Sequence, residues 1–284
     1  MTQSRRASLT DKLTVLDLFA GIGGFSLGLE RTGGFETVAF CEIDPYCRAV
    51  LRKHWPNVRQ FEDVRTLTAA DVGPVDVISG GFPCQDISNA GKRAGIEGER
   101  SGLWSEYARL IGELRPRFVI VENVAALLGR GLGRVLGDLA AIGFDAEWHC
   151  IPASAVGAPH RRDRLWIIAY AAGGGPQGGC IAPSNGKGSG PRAFTKFTGV
   201  CDGDGGEVVA DATGAKLQGV GAVKGGQQGG FANSSWWVTE PDVGRVANGV
   251  PSRVDRLRAL GNAVVPQVVE IIGCAILQAQ GRLT

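Results

Sequence analysis

The run Val15-Leu16-Asp17-Leu18-Phe19-Ala20-Gly21-Ile22-Gly23-Gly24 restricts the fold more than any other part of the chain. A short apolar stretch from Leu13 to Phe19 ends in a glycine turn and passes directly into Phe25 to Thr32, which is spaced as a helix. That join suits a strand buried on both faces and followed by a crossover helix. The alternation continues. Thr37 to Glu42 reads as a strand, and Pro45 to His54 as a helix with its proline suited to the first turn. Val75 to Ser79 reads as a strand, Leu103 to Leu114 as a helix and Phe118 to Glu122 as a strand. Val124 to Ile142 reads as one helix loosened by glycines, Ala146 to Ile151 and Leu165 to Tyr170 as strands, and Gln267 to Leu277 as an apolar helix. These expectations amount to an α/β domain built on a parallel sheet covered on both faces. A chain of 284 residues holds one such domain and a small appendage.

The texture divides the chain into a polar tail (1–12), a main domain (13–170), a glycine-rich region (171–250) and a returning segment (251–284). From Ala171 to Asn233 glycine, serine, asparagine and glutamine dominate, with little apolar periodicity. Such a stretch buries little surface and is costly to order, so we expect it to be loop-rich. The net charge of +2 neither requires nor excludes nucleic acid. Seven cysteines without a C-x-x-C pair suggest reduced thiols in an intracellular protein, with neither a disulfide framework nor a zinc knuckle. The three histidines are not spaced as metal ligands. The N-terminus lacks the apolar core of a signal peptide, and no uninterrupted apolar run reaches the ~20 residues of a membrane span. A soluble cytoplasmic protein, without membrane or metal, is the expectation.

Several residues stand where ligands bind in open α/β sheets, beyond the carboxyl ends of strands. Gly21, Gly23 and Gly24 let a ligand approach backbone N–H groups at a helix start. Glu42 ends the second strand, where a carboxylate can accept ribose hydroxyls. Asp63-Val64 follows the third strand and can meet an adenine edge. A nicotinamide dinucleotide and S-adenosylmethionine both fit these features. Gly80-Gly81-Phe82-Pro83-Cys84-Gln85 follows another buried strand, so Cys84 is a candidate nucleophile if its thiol is activated. Glu122-Asn123-Val124 closes a further strand at the same edge, and a buried carboxyl there suits acid–base work. His160-Arg161-Arg162-Asp163-Arg164 offers arginines that can hold a carbonyl or a phosphate.

Together these segments resemble the cytosine-C5 DNA methyltransferase family. Asp17 to Gly24 is similar to its cofactor motif, Pro83-Cys84-Gln85 to its nucleophile motif and Glu122-Asn123-Val124 to its acid motif. Arg162 and Arg164 resemble the arginine pair of its Q-x-R-x-R motif, with His160 in place of the glutamine. Gly261-Asn262-Ala263-Val264-Val265-Pro266 is similar to its C-terminal motif. The resemblance covers residues 13–170 and 251–280 and implies a Rossmann-like S-adenosylmethionine methyltransferase sheet with a small loop-rich target recognition region.

It also implies roles. S-adenosylmethionine is held by Asp17, Phe19, Gly21, Gly23, Gly24, Glu42, Ile43, Asp63, Val64, Pro83, Asn262 and Ala263. Cys84, Glu122, Arg162 and Arg164 are catalytic, and Gly91 to Gly102 forms a mobile loop. Ser88, Arg100, Arg253 and Arg256 touch double-stranded DNA, and Arg245 and Arg258 belong to the same basic stretch. The implied reaction is methylation at C5 of a flipped cytosine through a Cys84–C6 adduct, by a monomer that a cognate restriction endonuclease can accompany. A tRNA cytosine-C5 methyltransferase, a silent DNA-binding protein of the same fold and a nicotinamide-dependent oxidoreductase are the alternatives.

Overall fold

The computed structural model describes residues 12–83, 102–171 and 252–282. Cys84, Ser88, Arg100, Arg245, most of the Gly91–Gly102 loop and the glycine-rich insert with Phe194, Phe197, Phe231, Trp236 and Trp237 lie outside the described residues. The elements run β1 (Leu13–Leu18), α1 (Gly24–Arg31), β2 (Phe35–Cys41), α2 (Pro45–His54), β3 (Arg59–Phe61), α3 (Ala69–Val72), β4 (Val77–Gly80), α4 (Leu103–Leu114) and β5 (Phe118–Val124). There follow α5 (Leu127–Arg130), α6 (Leu132–Ile142), β6 (Phe144–Pro152), β7 (Asp163–Ala171), α7 (Arg253–Asn262) and α8 (Pro266–Ala279).

The strands form a seven-stranded sheet in the order β3-β2-β1-β4-β5-β7-β6. The first five are mutually parallel, but β7 runs antiparallel to both β5 and β6. The expectation of an all-parallel sheet fails here for a topological reason. Only the short turn Ala153–Val156 and a few further residues separate β6 from β7, too few for a crossover helix, so the chain doubles back. Strand order reverses between β1 and β4, which opens a crevice at their carboxyl ends, where open α/β sheets bind ligands.

Alternate side chains of the central strands feed two cores. Leu16, Leu18, Ile78, Val119 and Val121 face α4 and α6 through Tyr107, Leu110 and Leu139. Val15, Val77, Phe118, Ile120, Trp166 and Ile168 face α1 and α8 through Phe25, Leu29, Val269 and Ile272. The stretch read as one helix over 124–142 is instead the end of β5 and two helices, broken at the extended Gly131 (φ −178°). Arg253–Ala279 has the length and hydropathy of a membrane span. In the fold it is two helices, and α8 buries Val268, Val269, Ile272, Ile276 and Leu277 inside the protein. Of the described cysteines, Cys41, Cys47 and Cys274 are free.

Helix α8 presses onto α1 at Gly28. A Cβ there would lie 2.4 Å from the Pro266 carbonyl oxygen and 2.6 Å from the Val269 Cβ. Gly28→Ala is therefore expected to force the two helices apart and to cost about 1–3 kcal/mol, read from urea unfolding.

Candidate active site at the carboxyl edge of the sheet

The β1–α1 turn is shaped by left-handed backbone at Phe19 (φ 52°), Gly21 (φ 54°) and Gly23 (φ 86°). Its Gly21 N–H donates to Glu42 Oε2 at 2.7 Å, and the Asp44 N–H donates to Glu42 Oε1 at 2.8 Å. Glu42, just past β2, is thus a nearly buried carboxylate (9 % exposed) with a fixed orientation beside the turn. A Cβ at Gly21 would meet nothing within 4 Å, so space lies open above the loop. Ile43 stands 66 % exposed next to Glu42, an apolar surface in want of a flat partner. A directed carboxylate, open backbone and a bare isoleucine together suit the ribose and adenine of a nucleoside.

A second group gathers at the end of β5. Glu122 is 9 % exposed, and its Oε1 accepts from Arg164 Nε at 2.8 Å. Burial raises the Glu122 pKa, while the nearby charges of Arg164 and Arg162 pull it back. The result is a carboxyl able to give or take a proton. A Cβ at Gly81 would sit 2.9 Å from Glu122 Oε2, so the chain passes close against the acid on its way to Pro83. Asn123 Nδ2 donates to the Phe82 carbonyl at 3.1 Å and its Oδ1 accepts from the Val124 N–H at 2.9 Å, which fastens the same loop to β5. A pocket lined by Glu122, Arg162, Arg164, Trp166, Val265 and Val268, among others, opens beside the acid.

Comparison with known proteins decides what this pairing of sites belongs to. Residues 13–183 match the sequence pattern of the family described as C-5 cytosine-specific DNA methylase. The chain belongs to this family. It is 36 % identical over 165 residues to the type II methyltransferase M2.BsuMI of Bacillus subtilis, covering 55 % of this chain and 42 % of that protein. It is 39 % identical over 165 residues to the type II methyltransferase M.Eco47II of Escherichia coli, covering 55 % and 39 %. The chain thus spans about two fifths of the length of these relatives. A solved structure of the Entamoeba histolytica methyltransferase EhMeth shares the fold, with a TM-score of 0.50 at 18 % identity over 56 % of this chain and 53 % of that one.

Within the methylase frame, the expected site residues fall into distinct groups. Glu42, Ile43, Gly21 and Phe19 surround the open turn. Phe19 stacks on Tyr107 at 6.3 Å between ring centroids, Tyr107 on Trp104 at 5.6 Å, and Trp104 meets Phe82 at 5.4 Å. This aromatic row joins the turn to the strand end that leads to Pro83. Other expected ligands also make contacts within the fold. Gly23 and Gly24 are glycines because a Cβ would strike the Trp55 ring at 2.6 Å and Val264 Cγ2 at 2.7 Å. The Val64 side chain is buried in the core, which leaves only its backbone for a ligand. Asp63 is held by Arg65, whose Nη2 lies 2.5 Å from Oδ2, and that hydrogen bonding lowers its pKa.

The C-terminal return completes the crevice. Arg162, itself in left-handed backbone (φ 42°), donates from Nη2 to the carbonyls of Gly261 and Ala263 at 2.8 Å each. It therefore ties down the segment that carries Asn262 and Ala263, whereas Arg164 is the arginine bonded to the acid. Helix α7, for which the sequence offered no periodicity, presents Arg253 and Arg256 to solvent. Arg258, read with them as a phosphate ligand, instead pairs with Asp44, the N-cap of α2. Asn123 and the serines Ser26 and Ser79 were not singled out. Asn123 carried a signal, since it sits inside the Glu122-Asn123-Val124 run. The serines carried none, because their roles depend on contacts across the sheet.

Asp17, expected among the cofactor ligands, has its side chain inside the fold. It is fully buried, with Oδ2 accepting from Ser26 Oγ and Oδ1 from Ser79 Oγ, each at 3.0 Å. Burial pushes its pKa up to about 7. A folded-state pKa raised this way favours the folded protein while the group is protonated, and that contribution is lost as pH rises through about 7. Asp17→Asn should remove this loss. Thermal unfolding from pH 5 to 8 is expected to show wild-type stability falling relative to the variant up to about pH 7 and running parallel to it above.

Proposed function

We propose that the protein is a DNA (cytosine-5-)-methyltransferase that uses S-adenosylmethionine. The observation that carries the reading is the close passage of Gly81 past Glu122. It sets a buried, arginine-bonded carboxyl beside the strand end that leads into Pro83-Cys84-Gln85, next to a nucleoside-type crevice. The family membership and the type II methyltransferase relatives support the same reading.

The residues fit the cofactor. Glu42 suits its ribose, Ile43 and Phe19 its adenine, and the segment Asn262–Ala263, held by Arg162, lies across from them. When bound, S-adenosylmethionine supplies an electrophilic methyl group. The target cytosine must leave the helix stack, because C5 and C6 cannot be reached inside it. The Cys84 thiolate adds to C6, and Glu122 holds a proton at N3, so the displaced electron pair makes C5 nucleophilic. Arg164 keeps Glu122 oriented and offsets charge on the ring. After C5 has gained the methyl group, loss of its proton expels the thiolate and restores the ring.

The region 171–250 is assigned to target recognition, with residues 13–170 and 251–284 forming the catalytic body. Ser88, Arg100, Arg253 and Arg256 are assigned to the DNA backbone. The enzyme works as a monomer in the cytoplasm of a bacterial or phage-infected cell, and a cognate restriction endonuclease can accompany it.

Labelled methyl transfer to unmethylated genomic DNA and, in parallel, to bulk tRNA tests the reading. Transfer to DNA is expected, abolished in Cys84→Ser with cofactor binding retained, and lowered roughly 100-fold or more in Glu122→Gln. Transfer confined to tRNA would move the protein to RNA modification, and undiminished transfer by Cys84→Ser would overturn the mechanism. DNA affinity is expected to fall as salt rises, and Arg253→Ala or Arg256→Ala to reduce the slope of log affinity against log salt by about one each. A slope unchanged by either variant would remove those arginines from the interface.

A further inference from the structure

Asp17 poses a physical question. A carboxylate with no exposure is expensive, and an apolar trio of similar shape would pack at the same place without that cost. Ser79 lies directly opposite Asp17 in the β1–β4 pairing, at the point where strand order reverses. One residue further on, a Cβ at Gly80 would come within 2.3 Å of the Leu18 carbonyl oxygen, so β4 and β1 are drawn tightly together there. Ser26 lies in the first turn of α1, immediately after the glycine turn. Each carboxylate oxygen therefore binds one of two elements that carry different halves of the site. Glu42 and Tyr107 are the other ionisable groups whose charge bears on this carboxylate.

We propose that Asp17 is a positioning residue, whose buried carboxylate braces the end of β4 through Ser79 against the start of α1 through Ser26. The proposal rests on the methyltransferase reading. In that reaction C6 must meet the thiol that follows β4 while C5 meets the methyl group held at the β1–α1 turn. Hydrogen bonds to one rigid carboxylate, from the Ser79 hydroxyl on one side and from the Ser26 hydroxyl and backbone N–H on the other, fix the spacing of those two elements. A misplacement of ~1 Å in such a geometry costs on the order of 100-fold in rate. The two arms act separately. The Ser79 arm aligns the nucleophile strand, and the Ser26 arm aligns the cofactor turn.

The test compares Ser79→Ala, Ser26→Ala and Ser79→Thr in the full-length protein. S-adenosylmethionine affinity is measured by calorimetry, methyl transfer to DNA by steady-state kinetics, and thermal stability alongside. Ser79→Ala is expected to bind the cofactor within about threefold of wild type while kcat falls about tenfold or more, and Ser79→Thr, which keeps the hydroxyl, to recover most of that loss. Ser26→Ala is expected to weaken cofactor binding several-fold with a smaller effect on kcat. If Ser79→Ala fails to fold, the double variant Asp17→Asn/Ser79→Ala, which buries no charge, is read for the same split. Wild-type kcat in Ser79→Ala, or equal losses of affinity and rate in both alanine variants that track their loss of stability, overturns the proposal. An active wild type with an indifferent Ser79→Ala removes the brace alone. A wild type that binds the cofactor and methylates no DNA removes the methyltransferase reading and the brace with it.

Discussion

Asp17, Glu42 and Glu122 are carboxyl groups held almost out of water at the carboxyl ends of the parallel strands β1, β2 and β5. Each must be protonated or supplied with donors, because an unpaired buried charge costs several kcal/mol. The three are supplied in different ways. Asp17 takes two serine hydroxyls, Glu42 takes two backbone N–H groups and Glu122 takes an arginine. Those differences set what each can do. Complete burial keeps Asp17 close to protonation although its hydroxyl partners oppose this, Glu42 cradled by backbone amides is held in a fixed orientation, and Glu122 combines burial with a paired cation. The packing around them follows from the same demand. Gly80 has no side chain because β1 comes too near for one, and Gly81 packs directly against the Glu122 carboxyl.

The antiparallel hairpin of β6 and β7 carries the arginines to this edge. Because β7 runs against β5, its N-terminal end lies beside the carboxyl end of β5, with Arg164 opposite Val124 and Trp166 opposite Glu122. A parallel strand in that place would have delivered its carboxyl end instead, with Tyr170 and Ala171 where Arg164 now stands. The exception to the parallel pattern is thus what places a guanidinium on the acid. Arg162, two residues earlier, lines the same pocket and fastens the returning chain, so the two arginines of one short run hold both the acid and the C-terminal segment beside it.

Much of this could be read along the chain. The helices Pro45–His54 and Leu103–Leu114 end where the apolar spacing and the proline say they should. Glu42, Glu122 and the glycine turn stand out because each closes an apolar run. Helix α7 could not be read, since its polar sequence lacks a buried stripe and Val254, Leu257 and Leu260 remain exposed. Nor could the break at Gly131, because glycines inside an apolar helix look alike until one of them adopts an extended backbone.

What the sequence determined by itself is the inventory and its order: a strand and a glycine turn, a carboxylate after the second strand, a proline–cysteine run, and an acid and an arginine pair further on. These are local facts, set by residue type and short spacing. The tertiary structure alone decided the partners. It sent Asp17 to the serines, Arg164 to Glu122 and Arg162 to the returning chain, and Arg258 to Asp44. The reason is that each of these contacts joins different elements of the fold, at separations reaching 214 residues for Arg258 and Asp44. Strand order and direction, which no local pattern encodes, decide which side chains meet.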